Sequence, residues 1–219
     1  MRVGLLGGTF NPIHLGHLRS AVEVREVFDL DRVFLVPSAH PPHRTPKGIA
    51  DAQDRLEMVR LAAQGVPLLE ASDVELTRPG PSYTIETLQA FHDRYGPECV
   101  IHFIIGFDAF SEIATWKDYK KLFSAAHFVV AARSGTDLKD LEEVVHTRVS
   151  QDYRYDNALR AFQHPELLTI FATEVTRYDV SGTQVRNCLR ERRSIAFLVP
   201  RAVEDYVYEK KLYFDESNG

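Results

Sequence analysis

Gly7-Gly8-Thr9-Phe10-Asn11-Pro12-Ile13-His14-Leu15-Gly16-His17-Leu18 follows directly on the apolar run Val3–Leu6. A run of strand length, paired glycines, a short loop and apolar residues at Leu18, Ala21, Val22, Val24 and Val27 predict a strand, a tight turn and an amphipathic helix. Gly7 and Gly8 let the backbone approach a ligand closely, and the start of the helix offers N–H groups and a partial positive charge to an anion. His14 and His17 are three residues apart, so both rings fall on one face of the first turn, and Gly16 keeps the space between them clear. The stretch is therefore a candidate phosphate site. It is not a Walker loop, which needs GxxxxGK[ST], nor the GxGxxG of a dinucleotide turn. A plainer reading keeps the glycines as a turn and the histidines on a solvated helix face. A zinc reading pairs His14 with His17 and His40 with His43, but no further Cys, Asp or Glu ligands stand at suitable spacing.

Outward from this stretch, short apolar runs recur at Val33–Val36, Pro67–Glu70, Val100–Ile105, His127–Ala131 and Leu167–Phe171. Helical spacing separates most of them, as at Leu56, Met58, Val59 and Ala62. Ser82 can cap a helix running through Tyr83, Ile85, Leu88 and Phe91 to Gly96-Pro97. Strands alternating with helices imply an α/β fold with a doubly wound, mostly parallel sheet, whose ligands bind beyond the carboxyl ends of the strands at a switch in strand order. Residues 1–219 are expected to form a single domain with a helical part from about Ser181, and Pro200–Phe214 has the spacing of a closing helix. The polar stretch from about Ser134 to Pro165 is expected to carry a helical excursion over the sheet.

Composition narrows the function classes. The 219 residues are 44% hydrophobic and 26% charged, with 31 acidic against 26 basic side chains and a net charge of -5. That balance argues against a broad nucleic-acid footprint while leaving room for a local cluster of positive groups around a small polyanion. Cys99 and Cys188 form no CxxC pair and read as reduced packing residues. With no leader pattern at the start and no apolar stretch near the ~20 residues of a membrane span, a cytoplasmic protein is expected, with no membrane partner, as a monomer or small homo-oligomer.

Later motifs carry chemistry too. Ser181-Gly182-Thr183-Gln184-Val185-Arg186 sets two hydroxyls and free amides at a helix start, with Arg186 one to two turns in: a second anion site, or simply an N-cap and a solvated arginine. Gly106 and Asp108 follow the Val100–Ile105 run, where a glycine admits a base or ribose and a carboxylate can accept ribose hydroxyls, or cap a helix. Trp116, the single tryptophan, sits in the polar context Thr115-Trp116-Lys117-Asp118.

The Gly7–Leu18 stretch resembles the signature of the HxGH nucleotidyltransferase superfamily, whose members attack an α-phosphate directly and in line. The whole chain resembles the bacterial nicotinate-mononucleotide adenylyltransferase family through four further motifs in family order: Pro41-Pro42-His43-Arg44, Pro81–Leu88, Ile105–Asp108 with Thr115-Trp116, and Ser181–Arg186. The resemblance implies a Rossmann-like fold and transfer of AMP from ATP to nicotinate mononucleotide, giving deamido-NAD and pyrophosphate in NAD biosynthesis. Mg2+ would accompany ATP, with no metal ligand from protein side chains.

By the same resemblance His14, His17 and Arg186 are catalytic. Gly7, Gly8, Thr9, Phe10, Gly16, Gly106, Asp108, Arg133, Ser181 and Thr183 join Arg186 in binding ATP. His43, Arg44, Tyr83, Thr84, Trp116 and Lys117 bind the mononucleotide, with Trp116 stacking on the pyridine ring. The chain departs from the family's more frequent residues at Asn11 (often Asp), Arg44 (often Lys) and Gly182 (often Ser or Ala), the last removing one hydroxyl contact to the triphosphate. Rival functions are adenylyl transfer to nicotinamide mononucleotide or phosphopantetheine, a related transferase acting on glycerol phosphate, and a catalytically silent nucleotide sensor.

Overall fold

Strand β1 (Arg2–Gly8) is buried from Val3 to Leu6 with no polar alternation, as a strand covered on both faces must be. It lies between β2 (Arg32–Pro37) and β4 (Val100–Gly106), parallel to both. The computed structural model describes residues 1–41, 48–132, 138–176 and 178–214. Among them, one eight-stranded sheet is completed by β3 (Leu69–Ala71), β5 (His127–Ala132), β6 (Arg154–Asp156), β7 (Ala161–Gln163) and β8 (Ile170–Glu174), in the order β3-β2-β1-β4-β5-β8-β7-β6. All pairings are parallel except β6 with β7 and β7 with β8.

The helices divide between the faces. Leu6, Val33, Leu35, Ile104 and Val129 point to one side, under α1 (Leu15–Val27), α2 (Ala52–Ala63), α7 (Gly182–Arg190) and α8 (Arg201–Glu209). Leu5, Phe34, Val36, Phe103 and Phe128 point to the other, under α3 (Thr84–Tyr95), α4 (Phe107–Ser111), α5 (Tyr119–Ala125) and α6 (Leu138–Val144). Each such buried side chain contributes roughly 1.5–3 kcal/mol relative to exposure, and their alternation along every strand fixes the register. The chain goes from β1 to one side for β2 and β3, then returns to β4 on the other side, so the strand order switches between β1 and β4. The doubly wound sheet expected from the sequence is present, and its crevice opens where Gly7, Gly8 and Gly106 stand.

Several boundaries differ from the sequence reading. Helix α3 begins at Thr84 with Tyr83 as its cap, and the Ser82 hydroxyl instead accepts from the His40 amide at 3.2 Å. The expected Leu167–Phe171 strand starts three residues later, because the Leu168 amide donates to the Phe123 carbonyl and the Leu168 carbonyl receives the Tyr153 hydroxyl. The Ser134–Pro165 stretch does supply helix, α6 and a π-helical turn at Val145–Val149, but it also contributes the β6–β7 hairpin that widens the sheet. Cys99 and Cys188 are buried and free.

Candidate active site

Loop 9–13 carries the chain from β1 to His14, which caps α1 in an extended conformation. Phe10 is buried and its ring meets His17 edge-on at 5.0 Å, while His14 and His17 stack at 3.6 Å between centroids. The His14 amide donates to His17 Nδ1 at 3.3 Å. With Nδ1 accepting, the proton of neutral His17 lies on Nε2. Burial, and secondarily the neighbouring His14, hold the His17 pKa well below its ordinary value. His17 is thus a neutral donor across the neutral range. Gly16 is a close approach: a Cβ there would lie 3.2 Å from His14 Nδ1 and 3.3 Å from Val180 Cγ1. One of the helix's first N–H groups is not available to a ligand, since Leu15 donates to the Leu198 carbonyl at 3.0 Å.

The start of α7 lies against this loop. Ser181 caps α7 through Oγ, which accepts from the Gln184 amide, while Thr183 is exposed. Arg186 reaches back with Nη1 to the Asn11 carbonyl at 2.6 Å and with Nη2 to Thr183 Oγ1 at 3.1 Å. A Cβ on Gly182 would stand 2.8 Å from the Asn11 carbonyl oxygen. The missing Gly182 side chain is therefore what lets the two loops touch in this chain. Two helix N-termini, a glycine turn, two imidazoles and a guanidinium converge on the mouth of the β1–β4 switch. Such an array of donors suits phosphate oxygens.

Beside it, Phe103 of β4 lies below Gly7 and makes an edge contact with Trp116 at 6.1 Å. Gly106 caps α4 and Asp108 is exposed in its first turn. Lys117 Nζ sits 4.3 Å over the Tyr83 ring and 2.7 Å from Glu86, which also meets Arg78 at 3.3 Å. These contacts tie the Trp116 loop to the start of α3, where Thr84 is the first helical residue. A half-buried indole beside a glycine turn is placed to stack on a planar ring.

The cytidylyltransferase-like family profile matches residues 5–188. The chain is 44% identical to a protein of Desulfatibacillum aliphaticivorans named "Probable nicotinate-nucleotide adenylyltransferase", over 97% of this chain and 100% of that one. A relative of the same name in Citrifermentans bemidjiense is 40% identical, with 98% and 99% covered. The chain belongs to the nicotinate-nucleotide adenylyltransferases. It is accordingly a nucleotidyltransferase. A solved nicotinic acid mononucleotide adenylyltransferase of Plasmodium falciparum, complexed with NaAD, shares the fold with a TM-score of 0.72 at 14% identity, 97% of each chain being covered.

Of the residues expected from the sequence, Gly7, Gly8, Thr9, Phe10, His14, Gly16 and His17 gather with Ser181, Thr183 and Arg186, and Gly106 and Asp108 edge the same crevice. Tyr83, Thr84, Trp116 and Lys117 form a second group. His43, Arg44 and Arg133 lie outside the described residues. The sequence reading missed three side chains. Arg55, only 1% exposed, and Asn11 are hydrogen-bonded to the loops around the site. Glu75 is buried behind α3, accepting from Thr87 at 2.6 Å, and burial raises its pKa. Arg55 sits among apolar helix positions, where periodicity alone reads it as a surface arginine. Asn11 enters the sequence reading only as a departure from the family's more frequent Asp.

Proposed function

We propose that this chain transfers AMP from Mg-ATP to nicotinate mononucleotide, releasing pyrophosphate and forming deamido-NAD. The convergence of the α1 and α7 N-termini on the glycine turn, with His14, His17 and Arg186 between them, carries the reading. The 5′-phosphate of the mononucleotide is ionised at neutral pH, so it attacks the ATP α-phosphorus without a general base, and the protein supplies position and charge stabilisation. His17 donates from Nε2 and His14 lies against it, both toward the α-phosphate. Arg186, with the Ser181 and Thr183 hydroxyls, holds the leaving pyrophosphate. The donor set is imidazole, guanidinium, hydroxyl and amide, and no group of three or more His, Cys, Asp or Glu side chains among the described residues could hold a metal. It fits a metal carried on the nucleotide's own oxygens, where Mg2+ would neutralise part of the triphosphate charge.

Trp116 stacks on the pyridine ring, and donors at Tyr83, Thr84 and the Lys117 backbone face its carboxylate. Asp108 and Gly106 take the adenosine ribose, His43 and Arg44 are assigned to the mononucleotide and Arg133 to ATP. We place the protein in the cytoplasm, as a single-domain monomer or small homo-oligomer without a nucleic-acid partner. Among the described residues no helix is long and apolar enough to cross a membrane. The test is pyrophosphate release from Mg-ATP with nicotinate mononucleotide, nicotinamide mononucleotide, phosphopantetheine and glycerol phosphate side by side. Turnover with the first well above the others is expected; turnover confined to either of the last two would overturn the acceptor.

A further inference from the structure

Arg55 projects from the first turn of α2 and is almost completely buried. A buried guanidinium is costly unless its donors are satisfied. Here the four hydrogen bonds it makes among the described residues all go to main-chain carbonyls. Nη1 donates to Thr9 at 2.8 Å and to Ser38 at 2.6 Å, Nη2 to Ala39 at 3.2 Å, and Nε to Ala50 at 3.0 Å. Thr9 lies in the loop after β1, Ser38 and Ala39 in the loop after β2, and Ala50 just ahead of α2. One planar group therefore joins three separate segments at the carboxyl edge of the sheet.

Asn11 completes the join. Its Nδ2 donates to the Gly48 carbonyl at 2.9 Å and its Oδ1 accepts from the Ala50 amide at 3.0 Å. Backbone polarity fixes that amide orientation, and an Asp in its place would set a carboxylate oxygen against a carbonyl. The Asn11 carbonyl in turn receives Arg186 at 2.6 Å. On the β2 side, the His40 carbonyl receives the Ser82 amide at 3.0 Å, next to Tyr83 and Thr84. The join thus runs from Arg186 and the glycine turn, through Asn11 and Arg55, to the segment leading into the mononucleotide side.

We propose that Arg55 and Asn11 are positioning residues that set the phosphate-binding loop in register with the loop after β2, and so hold the two reactants at attacking distance. Neither needs to touch substrate. The proposal rests on the assignment of the two substrates above. A clasp of this kind governs the relative placement of bound reactants more than the binding of either, so its loss appears in kcat. A displacement of about 1 Å can cost on the order of 100-fold in rate.

The experiment compares wild type, Arg55→Lys and Asn11→Ala in steady-state kinetics with Mg-ATP and nicotinate mononucleotide. Lysine keeps the charge but cannot reach four carbonyls as the planar fork does. Expected is a kcat loss of roughly 30- to 100-fold in Arg55→Lys and about 10-fold in Asn11→Ala, with both KM values within about threefold of wild type. Folded variants with kcat within threefold of wild type, or a loss confined to one KM, would overturn the proposal. If Arg55→Lys does not fold, Asn11→Ala decides. Hydrogen exchange read on the same proteins does not depend on turnover: exchange should rise together over residues 8–12 and 36–41, and a rise in only one segment counts against the clasp. A wild type inactive with these substrates, yet showing the paired rise in its variants, would sink the substrate assignment and spare the clasp.

Discussion

The two halves of the candidate site are held together by different physics. Around the glycine turn, the groups proposed to meet phosphate are held by buried or part-buried hydrogen bonds involving the main chain: Arg55 to the Thr9, Ser38 and Ala39 carbonyls, the His14 amide to His17, and Arg186 to the Asn11 carbonyl, against which Gly182 closely packs. Around the proposed pyridine pocket, the Trp116 loop is tied to α3 by the Lys117–Glu86 pair, whose side chains are 44% and 37% exposed. An exposed pair contributes little and yields to a ligand. Charge stabilisation requires donors that do not reorganise during reaction, whereas recognition of an aromatic ring tolerates adjustment of the loop that stacks on it. The proposed chemistry thus falls to the rigid half, and the proposed choice of acceptor to the looser one.

The hardest blow to the rigid half should come from the histidines. His17→Ala is expected to lower kcat by roughly 100-fold or more with an unchanged circular dichroism spectrum, because a preorganised donor to a transition state is worth a few kcal/mol. His14→Ala should behave alike, and near-normal turnover in either would remove the pair from the reaction. Arg186→Ala should weaken the use of ATP and, in reverse, of pyrophosphate, each by roughly 10- to 50-fold in kcat/KM, with partial recovery in Arg186→Lys. An unchanged KM for pyrophosphate would place Arg186 outside the triphosphate path.

The amino ends of the same strands allow a contrast without catalysis. His102 and His127 stack there at 5.2 Å, and burial, assisted for His102 by His127, lowers the His102 pKa to about 4. Burial also lowers the His127 pKa. A histidine kept neutral by folding binds fewer protons than its unfolded counterpart, so stability is full above the unfolded pKa near 6.5 and declines as pH falls toward the folded value. For His102 the decline amounts to about 3 kcal/mol at most by pH 4. Thermal unfolding of wild type and His102→Leu from pH 7 to 4 should show a shallower fall in the variant, and parallel curves would contradict this origin. The smallest effect belongs to the looser half: Glu86→Gln should change kcat by less than about threefold, and a collapse of turnover would show that the Lys117 tie is part of the chemistry.

Much of this arrangement is legible in the sequence because its causes are local. Apolar runs of four residues at Val3–Leu6 and Val33–Val36 and of six at Val100–Ile105 place β1, β2 and β4, and the GGTFNPIHLGH stretch gives the turn, the start of the helix and the two histidines on one face. The β6–β7 hairpin was missed because each strand has three residues and takes its partner from the sheet edge, leaving almost no periodic signal. Arg55 was missed for a related reason. Its role lies in carbonyls as far as 46 positions away in the chain, and nothing in its neighbours Asp54 and Leu56 distinguishes a buried arginine from an exposed one. Nothing local to Asn11 or to Gly182 at its helix start shows that the two meet across the site.

The central claim, that the rigid half performs the transfer and the looser half selects the acceptor, is tested most directly by one crossed measurement. kcat/KM for nicotinate and nicotinamide mononucleotide is determined in wild type, His17→Ala and Trp116→Ala. Donors left facing a carboxamide instead of a carboxylate cost about 1–3 kcal/mol each, so two such contacts predict an acid-to-amide ratio on the order of 100 in wild type. The ratio should persist in His17→Ala, although the rate falls about 100-fold, and in Trp116→Ala, where both substrates lose the same stacking. Equal use of the two mononucleotides by wild type, or a ratio that vanishes with His17, would contradict the division.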